Sequence, residues 1–349
     1  MEILKVAENF KIEGEVKSAA PYGEGHINST YILTTTKKRY ILQSINTKLF
    51  KDVDALMLNI VAVTEFIREK TKKENGDVSR CTLNVVKSKD GKNYYKDDSG
   101  AYRIYEFIEG ATSYQTANAE LFKQSGIAFG EFANKLCDFD ASKLNEVLPF
   151  FHDTTVRYKN FLKAVNEDKF DRVKTVLNEI EFVKKRERYC GVFVNAIKNK
   201  EIPLRVTHND TKLNNVMLDD LTGKPVAVID LDTVMPGSVC YDFGDAIRFG
   251  CNTGKEDDEN LENVTFSKEL YDSFYCGYIG AFSKITKREK ELLPLGAYVM
   301  TFECGMRFLT DYLDGDVYFK ISKKEHNLLR CRTQFKLMLD MEKIFNFKI

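Results

Sequence analysis

The feature that most restricts the fold is one compact β-rich island, from about Arg205 to Ile229, set among long helical stretches, and the informative stretch runs from Val206 to Phe249. An apolar run ends in His208-Asn209-Asp210, and Asn215 follows Asp210 by five residues. Asn215-Val-Met-Leu-Asp and Val226-Ala-Val-Ile-Asp read as two short strands, with Asp219-Asp-Leu-Thr-Gly-Lys as the turn between them. This arrangement predicts that Asp210, Asn215 and Asp230 gather at the ends of adjacent strands, facing one cleft. A carboxylate there can align a hydroxyl and take its proton. An amide and a second carboxylate are hard oxygen ligands for a metal ion that bridges phosphates.

The remaining pattern divides at Glu109-Gly110. Before it, Tyr31–Thr36 and Arg39–Gln43 are β-rich runs joined at Lys37-Lys38, and Asp54 to about Lys73 carries apolar residues at helical spacing. Thr82–Val86, Asn93–Lys96 and Tyr102–Ile108 read as three more strands. After it the chain is mostly helical. Ala117–Cys137 is amphipathic, Phe170–Lys198 reads as a long charged helix or a pair of helices, and Thr286-Lys-Arg-Glu289 is a capping box for a helix toward Leu313. The expected fold class is α+β and two-lobed: a small β-rich lobe over 1–109 and a larger, mostly helical lobe over 110–349.

The spacing His208-x-Asp210-x-x-x-x-Asn215 matches the catalytic loop of protein kinases, and Asp230 falls where their metal-binding Asp lies. With THNDTKLNN, VIDLDTVMPG, YDFGDAIRFG, PYGEGHINSTYIL and RFLTDYLDGDVYF, spread from Pro21 to Phe319, the chain resembles the aminoglycoside phosphotransferase and choline kinase superfamily. Within it, the chain is most similar to the bacterial N-acetylhexosamine 1-kinases. The resemblance implies the two-lobed protein-kinase-like fold, ATP and Mg²⁺ as cofactors, and a sugar 1-phosphate as product. It makes Asp210 the catalytic base, Asn215 and Asp230 the metal ligands, and Asp242 a residue that ties down the catalytic loop, with His208 bracing that loop. Gly23 and Gly25 fall in the phosphate-covering loop, and Glu106 and Ile108 in the linker that reads the adenine. His26, Asp232, Arg307 and Tyr318 fall on the acceptor side.

One position departs from the kinase pattern. The third strand of a protein kinase carries a lysine that pairs with the nucleotide phosphates, and Gln43 stands in its place. A neutral amide cannot neutralise phosphate charge. A nucleotide-binding module without turnover is therefore one alternative, and a same-fold kinase for an aminoglycoside, choline, homoserine or another sugar is the other.

Lys plus Arg and Asp plus Glu number 52 each, so neither nucleic acid nor an anionic membrane is the expected partner. A small-molecule sugar and a nucleotide are, with the protein a monomer or weak homodimer. None of the eight cysteines is spaced C-x-x-C, the start of the sequence lacks a signal-peptide core, and no apolar run spans a bilayer. These features predict free thiols and a cytoplasmic location.

Overall fold

The computed structural model describes residues 2–23, 27–116 and 118–347. Contacts divide the chain into two compact units: Met1–Tyr114, Lys135–Pro149 and Asn214–Pro236 form the first, and Gln115–Asn134, Phe150–Leu213 and Gly237–Ile349 the second.

Unit one is built on an antiparallel sheet. After helix α1 (Glu2–Ala7) come β1 (Val16–Pro21), β2 (Ser29–Thr35), β3 (Arg39–Ile45), helix α2 (Val53–Lys73), β4 (Val85–Val86), β5 (Tyr95–Asp97), β6 (Gly100–Glu106) and β7 (Ala111–Thr112). The sheet order is β1-β2-β3-β6-β4, with β5 also on β6. One face is apolar: Leu33, Tyr40, Leu42 and Ile104 pack with Val6, Ala7 and Phe10. Strand alternation sends the intervening residues to the other face. There Gln43 of β3 lies directly opposite Arg103 of β6.

Helix α2 starts where Asp52 accepts the Ala55 amide at 2.9 Å. It buries Leu56, Met57, Ile60, Val63 and Ile67 on one stripe, each worth roughly 1.5–3 kcal/mol of burial. The later part of unit one adds a hairpin. After β8 (Arg205–Thr207) of unit two come β9 (Val216–Asp219) and β10 (Pro225–Val228), ordered β10-β9-β7 in a small antiparallel sheet. Asn215, expected to open a strand, instead closes a 3₁₀ turn, Leu213–Asn215, just before β9.

Unit two is helical: α3 (Ala119–Leu136), α4 (Thr154–Glu167), α5 (Leu177–Lys184), α6 (Val192–Lys198), α7 (Val239–Gly250), α8 (Lys268–Ala281), α9 (Lys287–Leu313) and α10 (His326–Phe345). The capping box at Thr286 and Glu289 is present, and α9 continues through Pro294. Helix α9 forms the centre of the unit, with α4, α7 and α10 packed around it. Its contact with α7 is close. A Cβ added to Gly244 would lie 2.4 Å from the Gly296 carbonyl oxygen, and one added to Gly296 would lie 2.4 Å from the Cys240 oxygen.

Of the two readings of Phe170–Lys198, one long helix or a pair, the structure has the pair. Asp171 is left-handed (φ 54°), 3₁₀ turns occupy Val173–Thr175 and Glu187–Tyr189, and only α5 and α6 remain α-helical. The break after α5 has a tertiary cause. Arg186 is buried, its Nε donates to Tyr298 Oη at 2.9 Å and to Glu342 at 2.8 Å, and its guanidinium lies over the Phe182 ring.

Candidate functional site

In unit two the segment after β8 is shaped by α7. Ser238 caps α7, and Asp242 in its first turn is buried. The two Asp242 carboxylate oxygens accept the backbone N–H groups of His208 and Asn209, each at 2.8 Å. One helical turn on, Asp245 accepts the Thr211 amide at 3.1 Å and pairs with Arg248 at 2.9 Å. Asp245 is buried, and it holds the same loop. Two carboxylates at α-helical spacing thus fix three of the four amides of His208–Thr211.

His208 is fully buried, edge-on to Phe129 and Phe132, and its Nδ1 accepts the Asp210 amide at 3.3 Å. The ring braces the loop from inside. Asn209 is left-handed at φ 64°. Asp210, at the tip, pairs with Lys212 at 2.6 Å. Burial pushes the Asp242 carboxyl up to about 6, against the opposing pull of His208 and the two amide bonds.

Arg307 and Tyr318 also come together in unit two, with Arg307 Nη2 3.5 Å from Tyr318 Oη and its guanidinium over the rings of Phe151, Tyr318 and Phe319. The backbone of Val317, Tyr318 and Phe319 is gathered by Asp311, which accepts all three amides. Two further residues, invisible to motif reading, complete the cluster. Glu303 of α9 is buried and holds His152 Nδ1 at 2.9 Å and Thr154 Oγ1 at 2.5 Å. Burial alone would raise its pKa, but His152 and Arg307 outweigh that and hold it below the ordinary value. Arg157 donates to the Phe151 carbonyl at 2.8 Å, while its buried Nε has no hydrogen-bond partner among the described residues. Burial first, then Arg307, lowers its hold on a proton.

Unit one carries the other predicted residues. Asn215 and Asp230 are tied by the Ile229 amide, which donates to the Asn215 carbonyl at 2.9 Å. Asp230 is left-handed (φ 59°, ψ 60°), a conformation costing a non-glycine residue about 1 kcal/mol or more. Asp232 is buried and pairs with Arg103 at 2.6 Å. Its other oxygen accepts Asn28 Nδ2 at 2.6 Å. Gln43 accepts two bonds from Arg103, at 3.0 and 2.8 Å.

In the linker, Glu106 pairs with Lys38 and accepts Asn84, and Ile108 lies in an apolar layer with Ala111, Met217 and Ala227. Gly23 is left-handed at φ 74°. Gly25 and His26 lie outside the described residues. Among the described residues no three His, Cys, Asp or Glu side chains form a cage for a metal ion. An amide and one carboxylate fit Mg²⁺, which keeps waters and phosphate oxygens in its other positions. None of the eight cysteines forms a disulfide, and Cys276 is exposed. No described helix is long and apolar enough to cross a membrane.

Residues 18–265 match the profile described as APH, phosphotransferase enzyme family. Among solved structures, the chain is similar to an aminoglycoside phosphotransferase from Alicyclobacillus acidocaldarius subsp. acidocaldarius DSM 446 (TM-score 0.61, 11% identity, 98% of this chain and 96% of that one). It is also similar to a choline/ethanolamine kinase family protein from Mesorhizobium loti (TM-score 0.55, 15% identity, 98% and 95%). A third is a spectinomycin phosphotransferase in complex with ADP and spectinomycin (TM-score 0.51, 13% identity, 96% and 98%). At these identities the likeness is one of fold.

Proposed function

The chain belongs to the phosphotransferase enzyme family, and on that footing we propose that it phosphorylates the anomeric hydroxyl of an N-acetylhexosamine, with ATP as donor and Mg²⁺ as cofactor. Asp210 orients the acceptor hydroxyl and takes its proton, with Lys212 at 2.6 Å fixing the direction of the carboxylate. Asn215 and Asp230 are the metal ligands, and magnesium, when bound, offsets the charge that develops on the transferred phosphoryl group. The apolar layer around Ile108 and Met217 takes the adenine. ADP in the spectinomycin phosphotransferase supports the nucleotide assignment.

The observation that carries the acceptor class is the pair of guanidinium groups that meet at Phe151: Arg157 donates to its carbonyl at 2.8 Å and Arg307 lies over its ring. Two cations beside one another, one with a buried donor left unpaired, repel choline or an aminoglycoside. They suit a neutral ligand rich in oxygen, such as sugar hydroxyls and an acetamido carbonyl. The same pair favours one second reading, a carboxylate-bearing acceptor such as homoserine.

The test is ADP release with MgATP against GlcNAc, GalNAc, glucose, galactose, kanamycin, choline and homoserine, with the product located by phosphorus NMR. Turnover confined to the N-acetylhexosamines, with phosphate on the anomeric oxygen, is expected. Turnover of kanamycin or choline overturns the acceptor assignment, and turnover of homoserine alone selects the second reading.

A further inference from the structure

Gln43 leaves β3 without the lysine that serves the nucleotide in protein kinases, yet the same face of the sheet contains a buried cation one strand away. Arg103, cross-strand partner of Gln43, is 1% exposed. Its Nε and Nη2 both donate to Gln43 Oε1, and Gln43 Nε2 in turn donates to Thr30 Oγ1 at 3.1 Å, which fixes the orientation of the amide. A lysine at 43 would repel Arg103, whereas glutamine supplies the acceptor it needs. The remaining terminal nitrogen of the guanidinium, Nη1, meets Asp232.

Asp232 belongs to the turn that carries Asp230, and that turn is held along its length. Upstream, Ile229 is bonded to Asn215. In the middle, Asp232 is gripped by Arg103 and by Asn28, whose Oδ1 accepts the Asn46 amide at 3.0 Å. Downstream, the buried Asn59 of α2 donates to the Val234 carbonyl at 2.9 Å and to the Asn145 carbonyl at 2.8 Å. Leu231, Asp232 and Thr233 are all buried. A left-handed aspartate persists only where its surroundings over-determine it, and these bonds do so. An Arg–Asp pair this deeply buried is poor value as a stabiliser, because desolvation cancels much of its attraction. Its use lies in what it positions.

We propose that Arg103 is the positioning residue of the metal-binding turn: held by Gln43, it acts through Asp232 to fix Asp230. Asp232 is then the counterion of this clamp rather than a ligand for the acceptor. The inference rests on the reading of Asp230 as a metal ligand.

The experiment is calorimetric titration of the full chain with ADP, with and without Mg²⁺, which needs no turnover. Wild type is expected to bind ADP more tightly with magnesium, and Asp230→Asn to lose that gain. The double variant R103M/D232N removes both charges together, so no buried charge is left unpaired. It is expected to lose about 10- to 100-fold of the magnesium-dependent affinity, as is usual when the support of a metal ligand is removed, and to leave magnesium-free ADP binding unchanged. R103K, which keeps the charge, should recover part of the gain. Should the double variant fail to fold, Gln43→Leu keeps both charges, removes the amide acceptor and must still reduce the magnesium gain. A full magnesium gain in R103M/D232N or Q43L overturns the proposal, as does an equal loss with and without magnesium, which would mean that Arg103 acts on the phosphates directly. If wild type itself shows no magnesium gain and D230N changes nothing, the metal-ligand reading has failed and the clamp with it. Failure of the variants while D230N behaves as expected is failure of the clamp alone.

Discussion

Asp242 is expected to set stability against activity, and the conflict can be measured. Its carboxyl is buried and pushed up to about 6, against an ordinary 3.8. A difference of about 2 pH units corresponds to about 3 kcal/mol between the protonated and ionised forms. The folded value lies above the unfolded one, so the contribution of this group to stability is complete below 3.8 and is lost as pH rises through 6. Asparagine imitates the neutral acid at every pH. Wild type and Asp242→Asn should therefore have similar stability near pH 4, and the variant should be the more stable by about 3 kcal/mol near pH 8. Activity should move the other way. The amide nitrogen of the variant confronts one of the two N–H groups that the carboxylate now accepts, and losing a charge-assisted bond of about 1.5–3 kcal/mol implies a 10- to 100-fold lower kcat. Urea unfolding of both proteins at matched pH, with ATP-dependent turnover measured alongside, tests this directly. Parallel stability curves would refute the argument. So would wild type gaining on the variant as pH rises, because the two backbone donors would then outweigh burial.

Three further outcomes follow from the geometry. Asp210→Ala should abolish phosphoryl transfer and leave the circular dichroism spectrum and melting temperature near those of wild type, since Asp210 is a half-buried loop-tip residue; normal turnover would remove it as the base. Gly244→Ala should cost about 3 kcal/mol or more in urea unfolding, because its methyl group would lie 2.6 Å from Met300 Cγ as well as against the Gly296 backbone; a change below about 0.5 kcal/mol would mean that α7 and α9 separate easily. Arg307→Ala should raise the acceptor KM at least about tenfold and leave the ATP KM alone, as expected for the loss of a charged hydrogen-bond donor; equal effects on both would detach Arg307 from the acceptor.

Local chemistry was legible in the sequence; remote partnerships were not. The β2–β3 hairpin, α2 and the capping box at Thr286 depend on periodicity and on residues a few positions apart, so they could be read directly. Asp242 could be tied to the loop only through a resemblance. Asp245, on the same helix face, could not, because nothing in YDFGDAIRF shows which face is buried. Arg103 is hidden for a different reason. Its meaning depends on the strand register that sets it against Gln43, sixty residues away, and on Asp232, more than a hundred residues further on. Without that register Gln43 looks like a loss of function. The break at Arg186 is of the same kind, since a charged stretch reads as solvated helix until Tyr298 and Glu342 are known to claim the guanidinium.

Helix α9 is pegged at its start, where Glu289 closes the capping box and also grips Arg205 at 2.9 Å, and again at Gly296, where it meets α7. Arg307 lies eleven residues beyond that second peg. Each residue of an α-helix advances the side-chain direction by about 100°. With both pegs fixed, the number of residues between Gly296 and Arg307 acts as a phase setting, like the teeth between two marks on a gear. Adding or deleting one residue there would swing Arg307 away from Arg157 and leave Glu289, Arg205 and Gly296 where they are. With Arg307 on the acceptor side, as proposed, a change in acceptor preference is then expected from rotation alone, with the side chains of the cluster unaltered.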